Sequence, residues 1–105
     1  MALPDIAISP SEWKIIEGIL ERHIPQREVW AFGSRARRNA KPYSDLDLAI
    51  IGNQPLGRSL ITALAEDFSE SELPYKVDLV DWATANPHFR AVIEKDKVLL
   101  RTGKQ

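Results

Sequence analysis

The sequence predicts an α/β (α+β) fold: a small mixed β-sheet covered by helices, mainly on one face. Helical and strand periodicities alternate along the chain in the order α, β, β, α, β, α, with a terminal strand or extended tail. At 105 residues the chain has room for one modest core and not for two, so residues 1–105 are expected to form a single domain. Strands interleaved with helices in so short a chain must share one sheet, which the helices then cover.

Each element has its own signal. Ser9-Pro10-Ser11-Glu12 fits a capping box with proline at the first helical position. Trp13, Ile16, Ile19 and Leu20 follow at helical spacing, so a first helix runs to about His23, before Pro25 stops it. Glu28 to Phe32 reads as a short strand ending at Gly33-Ser34, and Arg35 to Ser44 as a polar loop or short helical turn. Asp45 to Ile51 is the second strand, closed by Gly52-Asn53. A second helix covers Leu56 to about Ser69, with Leu60, Ile61, Leu64 and Phe68 on one face. Lys76 to Val80 is the third strand. Asn86 caps a third helix with Pro87 at its first position, ending near Lys95, and Val98-Leu99-Leu100 closes the chain.

Composition narrows the function classes. A 44% hydrophobic and 28% charged make-up is that of an ordinary soluble globular protein. The net charge of −1 exerts no whole-protein pull on nucleic acid or anionic membrane. With no cysteine, disulfides and thiolate-bound zinc are excluded. The start, Met1-Ala2-Leu3-Pro4-Asp5, lacks the features of a signal peptide, and no apolar run reaches the ~20 residues that span a bilayer. A cytoplasmic protein is expected.

The chemistry concentrates between Phe32 and Ile51. Asp45 and Asp47 open an otherwise apolar strand and project from the same face, since side chains alternate. Two adjacent carboxylates repel each other, and a divalent cation removes that repulsion. Asp78, between Val77 and Leu79, supplies a third acid from another strand. If the strands are neighbours, the three acids converge on one or two cations, and Mg²⁺ suits such hard oxygen ligands. Asp78 is also placed to act as a base or electrostatic aid for an attacking hydroxyl. Gly33 permits close backbone approach to a phosphate, which the Ser34 hydroxyl and neighbouring N–H groups can then bind. Arg35 and Arg37 can neutralise a leaving pyrophosphate.

Other conspicuous residues receive structural assignments. Trp13 and Trp30 are expected in the core, and Trp82 either there or against a base or partner. His23 sits where a cation opposes the helix dipole, and His88 on the surface. Asp81, three residues after Asp78, falls on the opposite strand face and is left out of the site.

The pattern Gly33-Ser34, ten residues, Asp45-Leu46-Asp47, then Asp78 on a later strand resembles the signature of the nucleotidyltransferase superfamily that includes DNA polymerase beta. The shortness of the chain is similar to the minimal nucleotidyltransferase (MNT) subgroup. The resemblance implies the polymerase-beta-like fold, with Asp45, Asp47 and Asp78 as metal-binding catalytic acids and Gly33 and Ser34 gripping the triphosphate of ATP. It also implies an antitoxin that transfers AMP from ATP to a tyrosine of a HEPN-domain ribonuclease toxin. The family commonly has glycine where this chain has Arg38; a left-handed backbone there would cost an arginine about 1 kcal/mol or more.

Two other readings compete. A non-catalytic antitoxin would neutralise its partner by occlusion, which does not require three converging carboxylates. Transfer to a small molecule or an RNA end would want an accessory helical domain, or a broader basic surface than Arg35 to Lys41 provides. The acceptor, the nucleotide preference and the oligomeric state are not written in the sequence, although exposed sheet edges invite pairing with a copy or a partner.

Overall fold

Ser9 opens the first helix as predicted. Its hydroxyl accepts the Glu12 N–H at 3.2 Å, while the Glu12 carboxylate accepts the Ser9 N–H at 3.0 Å, so both halves of the capping box form. The helix, α1, is Pro10–His23 and buries Trp13, Ile16, Ile19 and Leu20. The computed structural model describes residues 3–103; Met1, Ala2, Lys104 and Gln105, included in the expected 1–105 domain, lie outside them.

Strand β1 (Val29–Phe32) leads into a single helical turn, α2 (Gly33–Ala36), then a loop and β2 (Leu46–Ile50). Helix α3 is Arg58–Ser69. It starts two residues later than the periodicity suggests, because Gly57 at φ 87° breaks the helical path. The Leu56 N–H donates instead to the Asp81 carboxylate at 2.9 Å. Strand β3 (Val77–Asp81) passes through a 3₁₀ turn, Trp82–Thr84, into α4 (Pro87–Asp96), capped by Asn86 accepting the Phe89 N–H at 2.8 Å. The last strand, β4 (Val98–Arg101), pairs with β1.

The sheet order is β3-β2-β1-β4. β1 is antiparallel to both β2 and β4, whereas β2 and β3 are parallel, joined by a crossover through α3. The sheet is therefore mixed, and the strand-and-helix layering is that of the predicted class.

The two faces of the sheet differ. Val29, Ala31, Leu46, Leu48 and Ile50 are fully buried in the main core with Ile16, Leu20, Leu64 and Phe68 of α1 and α3. The intervening residues face the other way, into a smaller cluster of Phe32, Ala49 and Ile93 with Trp30, Val80, Trp82 and Phe89 around it. α4 covers this second face over β1. Trp13 is in the core as expected. Trp30 is only partly buried, edge-on to Trp82 at 5.1 Å between ring centres, with the Lys97 ammonium 4.2 Å above its ring.

Candidate active site on the open face of the sheet

Register is what assembles the acids. Asp47 of β2 stands directly opposite Asp78 of β3, and both project from the face away from the main core. Neighbouring strands lie ~4.8 Å apart, so the two carboxyls share one small region. Burial pushes the Asp47 carboxyl above its ordinary value of 3.8, and the charges of Asp78 and then Asp45 push it further. The Arg37 charge pulls the other way. Asp78 and Asp45 are thus close enough to disturb the ionisation of Asp47.

They are not drawn into a finished coordination shell. Among the described residues no three His, Cys, Asp or Glu side chains are grouped tightly enough to hold an ion. The Asp78 carboxylate instead leans toward the Lys76 ammonium, 3.4 Å away and exposed. That contact is weak and yields readily to a stronger cation. A cluster of mutually repelling carboxylate oxygens on one face has the donor chemistry of a Mg²⁺ site.

Gly33 is required here for two reasons. Its φ is 77°, and a β-carbon would land on the Asp47 carboxylate. The first turn of α2 therefore packs against the acid. Arg37 follows that turn with its guanidinium exposed and bound to Asp96 of α4 at 2.7 Å. Ser34 lies in the turn between them, partly buried.

Arg35 departs from expectation. Its side chain does not reach toward the acids' open side; it is 5% exposed and turned into the protein. It donates to the carbonyls of Ser44 (2.9 Å), Ala7 (2.8 Å) and Pro42 (2.9 Å). A guanidinium so committed is not free to neutralise a leaving pyrophosphate. The sequence signal misled because two arginines at i and i+2 look equivalent, while the turn of α2 sends them to opposite sides.

Arg38 adopts the left-handed conformation, at φ 61°. Its guanidinium bonds the Ile6 carbonyl at 3.0 Å and Asp5 at 3.3 Å, which offsets part of the strain. Asp81 is buried at the end of β3, accepting the N–H groups of Leu56 and Ala83, in keeping with its exclusion from the site. His23, at the end of α1, pairs with Asp67 of α3 at 2.6 Å.

The Polymerase beta, Nucleotidyltransferase family model matches residues 14–105. The chain belongs to that nucleotidyltransferase family. It is 49% identical over 94 residues to a probable protein adenylyltransferase MntA of Haemophilus influenzae, covering 90% of this chain and 82% of that one. A toxin–antitoxin crystal structure with AMP-PNP superimposes with a TM-score of 0.74 at 26% identity, over 89% of this chain and 74% of that chain. A mutant MntA–HpeT toxin–antitoxin complex does so at 0.69 and 29%, over 90% and 73%. Family membership makes this chain a nucleotidyltransferase.

Sequence reasoning missed two partners of the site. Asp96, which holds Arg37, lies 59 residues from it and carries no local signal. Tyr75, whose ring lies 3.7 Å from the Arg35 guanidinium, reads in sequence as one more core aromatic.

Proposed function

We propose that this nucleotidyltransferase transfers AMP from ATP to a tyrosine hydroxyl of a HEPN-domain toxin and so acts as that toxin's antitoxin, in the cytoplasm. The observation that carries the reading is the Asp47–Asp78 register, with Gly33 packed beneath Asp47. The likeness to an adenylyltransferase named MntA and to a toxin–antitoxin structure with AMP-PNP supports it.

In this reading residues 1–105 act as one catalytic domain. Asp45, Asp47 and Asp78 would hold one or two Mg²⁺ ions, and the bound metal would supply positive charge to the triphosphate and the attacking oxygen. Gly33 and Ser34 present backbone N–H groups and a hydroxyl to the phosphate oxygens. Arg37 neutralises charge that develops on the leaving pyrophosphate. Asp78, exposed enough to meet an acceptor, draws the proton from the incoming tyrosine hydroxyl. The tyrosine oxygen forms a bond to the α-phosphorus, the bond to pyrophosphate breaks, and AMP stays on the partner.

The test is transfer of labelled AMP to the partner with release of pyrophosphate, compared between wild-type protein and Asp45→Asn. Equal labelling by the two would sink the proposal. Neutralisation that persists in an Asp47→Asn variant unable to transfer AMP would show that occlusion, not catalysis, silences the toxin.

A further inference from the structure

Among the described residues, Arg35 and Asp81 are the buried charged side chains. Asp81 stitches backbone N–H groups at the end of β3; Arg35 does something broader. Its planar fork gathers carbonyls from two separate segments, and its face rests on a third. Nη1 reaches Ala7, in the stretch before α1, and the Ala7 N–H donates back to the Arg35 carbonyl at 3.0 Å. Nε and Nη2 hold Ser44 and Pro42, in the loop that delivers Asp45. The guanidinium lies on Tyr75, which stands two residues before β3 and three before Asp78.

Tyr75 is itself tied down. Its hydroxyl donates to Glu12 at 3.0 Å, to the same carboxylate oxygen that accepts the Ser9 N–H in the capping box. Burial and the Glu12 charge keep that phenol protonated, well above its ordinary value of 10.0. A continuous chain of contacts thus runs from the start of α1 through Glu12, Tyr75 and Arg35 to the carbonyl of Ser44, one residue from Asp45.

We propose that Arg35 is a positioning residue of the nucleotidyl-transfer site: it fixes the approach of the chain to Asp45 and, through Tyr75, the approach to Asp78, without touching nucleotide. The functional part of this inference rests on the AMP-transfer reading above. A lysine in its place keeps the charge but replaces a five-donor fork with a single ammonium, so it cannot hold Ser44, Pro42 and Ala7 together. Misplacing a reacting group by about 1 Å costs on the order of 10²-fold in rate.

Arg35→Lys and Tyr75→Phe are the variants to compare with wild type. Tyr75→Phe keeps the ring beneath Arg35 and removes only the bond to Glu12, so it remains informative if Arg35→Lys does not fold. Three readouts are taken: backbone amide exchange across residues 41–47, the dissociation constant for AMP-PNP, and turnover with KM for ATP. In Arg35→Lys, exchange across 41–47 accelerates, turnover falls about 10–100-fold, and AMP-PNP affinity stays within about twofold. Tyr75→Phe shows the same pattern, reduced to about threefold in turnover. Weakening of AMP-PNP binding tenfold or more in Arg35→Lys, with slow exchange retained, would make Arg35 a nucleotide ligand and overturn the proposal. Wild-type turnover in both variants would overturn it as well, leaving only a contribution to folding. If the wild-type protein transfers no AMP to any partner, the AMP-transfer reading falls, while the exchange measurement still decides whether Arg35 fixes the 41–47 segment.

Discussion

Leu48 and Asp47 are neighbours in one strand and belong to different worlds. Leu48 is fully buried in the main apolar core, on the face of the sheet that helices α1 and α3 cover. Asp47 faces the other side, beside Asp78, with its carboxyl pushed up by burial and by its acidic neighbours. The packed face lowers the free energy of the fold. The open face raises it, through like charges held together, and the surplus from the packed side is what sustains this arrangement. A strand that alternates between these roles separates stability from function at single-residue resolution.

The sharpest way to break the comparison is Asp47→Asn. AMP transfer falls by about 10³-fold or more, which is about 4 kcal/mol of barrier. Thermal unfolding without Mg²⁺ is expected at the same temperature as wild type or higher, because the substitution removes a strained charge. A lowered melting temperature would mean that Asp47 holds the fold together. The converse variant, Leu48→Ala, loses about 3 kcal/mol of unfolding free energy in a denaturant titration, by lost burial and a residual cavity. AMP transfer per folded molecule stays within a few-fold. A larger loss of turnover would show that the packed face sets the chemistry directly.

Strain offers a finer probe. Arg38 sits in the left-handed region at φ 61°, in the loop between α2 and β2. Arg38→Gly removes a conformational penalty of about 1 kcal/mol, part of which is returned by losing the bonds to Ile6 and Asp5. A small net rise in stability, under about 1 kcal/mol, is the expected result. A clear fall would show that the tie to Ile6 outweighs the backbone strain.

The gentlest test uses pH in the absence of Mg²⁺. Asp47 has a raised carboxyl in the folded protein, so between its ordinary value of 3.8 and its raised value the folded state holds a proton that the unfolded state has lost. Its contribution to stability therefore diminishes as pH rises through that window, and Asp47→Asn flattens the slope. Asp67 behaves oppositely. The His23 and Arg22 bonds hold its carboxyl below 3.8, so its contribution is present above that value and is lost as pH falls through the lowered one. Denaturant midpoints of Asp47→Asn and Asp67→Asn against pH should diverge from wild type in opposite senses; parallel curves would refute the assignment.

Much of this was legible in the chain itself. The capping box at Ser9, the stop at Pro25 and the Asn86-Pro87 start of α4 are local signals, and each appears where the sequence places it; the second strand also forms, but it begins at Leu46 and leaves Asp45 in the preceding loop. The Gly33-Ser34 turn and its ten-residue spacing to Asp45 were equally readable. Arg35 was not. The acceptors for its guanidinium depend on where the carbonyls of Ala7, Pro42 and Ser44 come to rest, and no neighbour in sequence announces a buried charge. The pairing of Arg37 with Asp96 was hidden for the same reason, as was the smaller cluster that α4 builds over β1.

The sequence by itself determined the elements, the faces of each strand and the kinds of atoms available for chemistry. Those follow from backbone geometry and side-chain periodicity, which act over a few residues. Tertiary structure alone decided that β2 and β3 run parallel with Asp47 opposite Asp78, and that of two nearby arginines one turns outward beside the acids and the other inward as a brace. Such outcomes depend on contacts between segments far apart in the chain, where the burial of a side chain is set by what packs against it.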